Sequence, residues 1–174
     1  MLEVVKAPNN KLRIKTKPVK KVNQALLNTG TEMIKITKTF EDPEGVGLAS
    51  TQVGLEERFF VGKVGEKEGF KLFINPKILN FSKKTKLYFE GCLSIPDFYG
   101  EVKRSLSVDV LYINSEGKEI KETLEKVDAW IFQHEVDHLD GILFPDRVLE
   151  QKGRFFKFTG KDKTGHDVFE EVTV

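Results

Sequence analysis

Cysteine is nearly absent from this chain: one residue, Cys92, among 174. A lone thiol cannot close an internal disulfide, so packing must hold the fold together. A chain of this length, read as a single domain over 1–174, buries enough surface to manage that. Histidine is almost as scarce, with three residues, and the formal net charge is only +1. That balance removes the electrostatic argument for nucleic-acid or membrane binding, and the basic stretch 15–21 reads as a solvated loop. The chain has no run of about 18 apolar residues, no cleavable apolar leader, no repeat and no low-complexity linker. A cytoplasmic location is therefore expected. Its reducing conditions also suit a protein whose single thiol must stay unoxidised.

Phenylalanine, by contrast, is plentiful at 14 residues, and it supplies much of the candidate core. Helical periodicity predicts a long N-terminal helix over 22–40, with Val22, Leu26, Met33, Ile36 and Phe40 facing inward despite Gly30. β-Branched and aromatic enrichment predicts strands at 58–64, 70–75, 77–82, 85–89, 105–113 and 119–126, punctuated by Gly, Asn-Pro and Ser-Glu-Gly turns. A second helix is expected over 126–139. Segments 153–159 and 167–174 flank the turn-rich link 160–165 and read as a C-terminal β-hairpin. Short links argue for antiparallel pairing, so the expected class is α+β, with antiparallel sheets packed around the second helix.

That helix carries the most informative stretch of the chain, His134-Glu135-Val136-Asp137-His138. Four residues at 100° each leave the two imidazoles roughly 40° apart around the axis, so both can reach one metal ion. Glu135 sits beside them as a candidate proton carrier. Val127, Trp130 and Ile131 share the face, and Gly141 supplies a stop. A catalytic centre of this kind takes three protein ligands and leaves a fourth position for water. The third histidine, His166, lies in a Gly-Lys-rich stretch and reads as a solvated loop residue. Cys92, within Glu90-Gly91-Cys92-Leu93-Ser94, is the better third ligand. Gly91 permits unusual backbone geometry before it, and 93–96 continues as an extended run, as at a strand end. A third segment, Gly45-Val46-Gly47-Leu48-Ala49-Ser50-Thr51-Gln52, places glycines where a ligand or a backbone can approach closely.

In their order and spacing these three segments resemble the signatures of the peptide deformylase family. The likeness runs from about Pro8 to Arg147 and includes Pro18-Val19, Gln52-Val53-Gly54 and Asn75-Pro76. It implies that Cys92, His134 and His138 are the metal ligands and Glu135 the general acid/base. Gln52 and the backbone N–H of Leu93 would stabilise the oxyanion. The implied substrate is the N-formylmethionyl end of a nascent peptide, with formate as product, and the implied cofactor is one divalent ion, Fe(II), with Zn, Ni or Co as substitutes. The expected substrate-binding positions are Val46, Gly47, Tyr88, Glu90, Trp130 and Ile131, with peptide backbone running beside Val46-Gly47 and 98–100. Two departures stand out. The first segment reads Ala49-Ser50-Thr51 where the family has Ala-Ala-Pro. The chain also ends in a predicted hairpin where familiar bacterial members carry a basic helix, which undercuts a docking role at the ribosomal exit tunnel.

Asp137 and Arg104 are a further candidate pair, able to fix the orientation of the second helix. Two rival functions share these residues. An HExxH peptidase cutting internal bonds would need a longer cleft, and a structural metal site would need a fourth protein ligand. The ligand set does not dictate the ion, because affinity order favours zinc over iron(II) at almost any such site.

Overall fold

The computed structural model describes residues 2–41, 43–65 and 69–173. Two antiparallel sheets and three α-helices make an α+β fold. The first sheet has the order β1-β2-β3-β6-β7, built from Gly47–Ala49, Phe59–Lys63, Phe70–Phe81, Ser107–Ile113 and Glu119–Glu125. The second has the order β4-β5-β8-β9, from Thr85–Cys92, Ile95–Ser105, Phe155–Lys161 and Asp167–Val172.

Helix α1 spans Gln24–Thr37, shorter at both ends than expected, because the Asn23 side chain accepts from the Leu26 N–H at 2.9 Å and so starts it. Gly30 is tolerated for a packing reason: a Cβ there would come within 3.2 Å of the Leu72 methyls. The expected break at Asn75-Pro76 is a kink within one strand. Asn75 takes a φ of 51°, its side chain bonds both the N–H and C=O of Val19, and the register shifts between Ile74 and Lys77. Strand β5 was not expected, since Pro96, Asp97 and Gly100 depress its β propensity. Helix α3, Phe144–Gln151, was also not foreseen, although Pro145 in its first turn and Asp146, which accepts from the Leu143 N–H at 2.7 Å, are helix-start signals. The C-terminal hairpin is present as β8 and β9, with Val174 outside the described residues.

Helix α2, Lys126–Leu139, lies against the first sheet. Between them Phe60 and Phe73 stack at 4.7 Å, and Phe132 meets both rings edge-on at 5.3 and 5.5 Å. All three are fully buried. Such edge-to-face clusters of large rings give a rigid, densely packed seat, which fixes the face on which His134, Glu135 and His138 emerge.

Candidate metal centre

Strand β4 ends at Cys92, and residues 93 and 94 form the tight turn into β5, where Cys92 pairs with Ile95. The thiol is thereby delivered at a strand end, as expected, with a turn at 93–94 interrupting the extended run, and it lies against helix α2. Cys92 Sγ lies 3.3 Å from His138 Nε2, and the two Nε2 atoms of His134 and His138 are 3.2 Å apart. Ligand bonds of about 2.0–2.3 Å at tetrahedral angles require donor separations of about 3.3–3.6 Å. Two of the separations lie close to that range and all three donor atoms fall within 4.8 Å of one another, so they can share one ion. Their chemistry fits as well: His134 Nδ1 is bonded to the Glu90 carboxylate at 2.9 Å, so its Nε2 turns a lone pair towards the other two donors. Among the described residues the donor cluster consists of these three buried side chains. A fourth, closing ligand of the kind a structural site needs is not part of it. His166 lies far out on the β8–β9 turn, with 82% of its side chain exposed.

Behind His134 runs a chain of buried charge. Glu90 is fully buried and accepts from Arg104 Nε at 2.8 Å and Nη2 at 3.0 Å, while Arg104 Nη1 donates to Asp137 at 2.5 Å. Arg147 completes the line with Nη2 on Asp137 at 2.7 Å. The Arg104–Asp137 pairing thus forms, but within a larger network than the two residues suggested. Burial alone would raise the Glu90 carboxyl; Arg104 and then His134 outweigh it and bring it to about 2. Glu135 lacks such partners. Burial pushes it up to about 7 against the opposing pull of His134, and its Oε2 has no hydrogen-bond partner. A carboxyl poised near neutrality beside a metal-ligand cluster is suited to carrying a proton.

Gln52 sits in a short 3-10 turn, Ser50–Val53, and is held at both ends of its amide. Oε1 accepts from the Ala49 N–H at 2.9 Å, and Nε2 donates to Ser94 Oγ at 3.0 Å and contacts Cys92 Sγ at 3.5 Å. Ser94 was not singled out by the sequence; its place in the turn after Cys92 was the available signal. The Ser50-Thr51 departure is accommodated within the protein, with Ser50 donating to the Glu57 carbonyl at 2.6 Å and Thr51 to the His138 carbonyl at 3.3 Å.

A 320 Å³ cavity opens onto two of the donors, Cys92 and His134, and is lined by Val46, Gly47, Trp130, Ile131, Phe89 and Tyr99 along with Gln52, Leu93 and Glu135. A side chain at Gly47 would displace the Glu135 carboxylate, because a Cβ would fall 2.3 Å from its Oε1. Two positions expected to face substrate do not line the cavity. Tyr88 stacks behind Trp130 at 5.1 Å, and Glu90 is occupied by Arg104, His134 and the Trp130 indole N–H at 2.9 Å. Strand alternation is the reason: Tyr88 and Glu90 lie on one face of β4, and Phe89 and Gly91, on the other, reach the cavity.

The family model for polypeptide deformylase matches residues 1–154. This chain belongs to the polypeptide deformylase family. It is 45% identical to the peptide deformylase of Thermotoga neapolitana over 141 residues, covering 81% of this chain and 83% of that one. The crystal structure of the Thermotoga maritima peptide deformylase superposes with a TM-score of 0.77 at 41% identity, over 84% of this chain and 97% of that one. A class I type b peptide deformylase from Acinetobacter baumannii, solved with Met-Ala-Ser bound, superposes at 0.75 with 32% identity, over 85% and 98% of the two chains. The chain is accordingly a metal-dependent hydrolase that removes the formyl group from the N-terminal methionine of new polypeptides, releasing formate. The described residues contain no helix long and apolar enough to cross a membrane.

Proposed function

We propose that Cys92, His134 and His138 hold one divalent ion, that Glu135 moves the proton, and that Gln52 and the Leu93 N–H receive the negative charge on the formyl oxygen. When bound, the ion supplies Lewis acidity, making water nucleophilic near neutral pH and drawing charge from the carbonyl. Glu135 takes the proton from the attacking water and delivers it to the departing amine nitrogen, serving as base and then acid in one cycle. The Gln52 amide, already anchored at Oε1 by Ala49 and at Nε2 by Ser94, needs little reorganisation for Nε2 to donate to the developing oxyanion; losing one such donor costs about 10²–10³ in rate. The unbranched thioether of methionine suits the apolar wall made by Val46, Trp130 and Ile131. The proposed ion is Fe(II), with Zn, Ni or Co able to occupy the same donors, and the proposed setting is a reducing cytoplasm where the Cys92 thiolate survives.

The observation that carries this reading is the convergence of one sulfur and two nitrogens beside a buried Glu135 whose Oε2 has no hydrogen-bond partner. Formate release from formyl-Met-Ala-Ser, measured beside cleavage of an unformylated oligopeptide, tests it. Formate without internal cleavage is expected. Internal cleavage without formate would overturn the reading.

A further inference from the structure

The β8–β9 hairpin begins where the family match ends, at residue 154, and the chemistry above makes no use of it. Its rings nevertheless reach the cavity wall. Phe169 on β9 meets Phe89 edge-on at 5.1 Å and Tyr99 at 5.0 Å, and Phe156 on β8 meets Phe89 at 5.3 Å. Phe89 and Tyr99 stack on each other at 5.4 Å with an 8° tilt, and both line the cavity beside Cys92. Tyr99 is further pinned against the strand before the metal ligand, since a Cβ on Gly91 would sit 2.6 Å from its ring. Phe89 still keeps 45% of its surface exposed, and Val127, in the same lining, keeps 53%. The lining therefore offers exposed apolar surface, with one exposed carboxylate, Glu44, beside it, and is backed by hairpin rings outside the lining.

Resting on the reading above that this cavity takes formylmethionine, we propose that the C-terminal hairpin is a substrate-specificity element. Phe169 and Phe156 act as positioning residues. They hold Phe89 and Tyr99 as a fixed aromatic shelf for an apolar side chain one or two residues beyond the methionine. A ring already locked by its neighbours gives up little freedom when a ligand packs on it, so the shelf favours apolar over small or polar side chains.

The test compares formyl-Met-Ala-Ser with the same peptide carrying Leu in place of Ala, or Leu in place of Ser, in the native protein and in Phe169→Ala, Phe156→Ala and Phe169→Tyr. The native protein should prefer at least one Leu peptide in kcat/KM. Phe169→Ala and Phe156→Ala should reduce that preference about 3- to 10-fold, through KM, while kcat on the parent peptide changes less than about twofold. Phe169→Tyr, which keeps the ring, should retain the preference. Formate release with no preference for either Leu peptide, or with a preference that both alanine variants leave intact, overturns the inference alone. No formate from any peptide overturns the reading of the site and this inference with it.

Discussion

The two sheets hold the metal centre in different ways. The five-stranded sheet seats helix α2 on a buried cluster of phenylalanines, so His134, Glu135 and His138 stand on a densely packed base. The four-stranded sheet supplies Cys92 from a thinner core of Cys92, Val102, Phe144 and Val148, and its outer hairpin is largely exposed. Between the two halves stands Arg104, on β5, joined to Glu90 on β4 and Asp137 on α2. Packing thus sets the helix that carries the nitrogen ligands, and a buried ionic clasp, which also orients His134 through Glu90, ties to it the strand that carries the sulfur. Removing one partner from such a clasp strands the others in a poorly solvated interior.

Separating chemistry from architecture gives the largest expected effect. Glu135→Gln should lower turnover by about 10²–10⁴-fold while metal content, measured by elemental analysis, stays at one ion per chain. Breaking the clasp comes next: Arg104→Ala should cost about 3–5 kcal/mol in denaturant unfolding and weaken metal binding by about 10- to 100-fold in competitive chelation. On the packed side, Phe73→Ala should cost about 3–5 kcal/mol through the cavity it leaves, with little loss of metal affinity in the fraction that stays folded. Acid should act on the clasp too. The Glu90 carboxyl is held below its ordinary 4.5, at about 2, so its contribution is present above the ordinary value and disappears as pH falls from about 4.5 towards 2. Melting temperature should drop across that window in the native protein, and Glu90→Gln should flatten the drop. The smallest effect is expected on the outer hairpin, where Phe158→Ala, midway along β8, should change stability by less than about 1 kcal/mol.

The packed half was the more legible in sequence. Helix α2 is legible in its periodicity and its two histidines, and β2 and β6 in their β-branched and aromatic residues, Phe59, Phe60 and Val61 and then Val108, Val110, Tyr112 and Ile113, because local propensity and burial point the same way there. The clasped half was harder to read. Strand β5 is held by neighbours on both sides, and tertiary pairing overrides the turn-like residues Pro96, Asp97 and Gly100. The candidate ligands came from motif spacing, but the supporting contacts did not. Whether Glu90 faces substrate or a histidine depends on which face of β4 is turned inward, and no spacing rule decides that until the partner strand is known. The same one-residue alternation turns Phe89, and not Tyr88, towards the cavity.

Absorption spectroscopy of the Co(II)-loaded protein tests most directly whether the two halves meet on one ion. One Co(II) per chain is expected, with the intense visible bands of a tetrahedral site and a near-ultraviolet sulfur-to-metal charge-transfer band that Cys92→Ser abolishes and Glu135→Gln leaves in place. Absence of the charge-transfer band in the native protein, or full-stoichiometry binding that survives both His134→Ala and His138→Ala, would contradict the account.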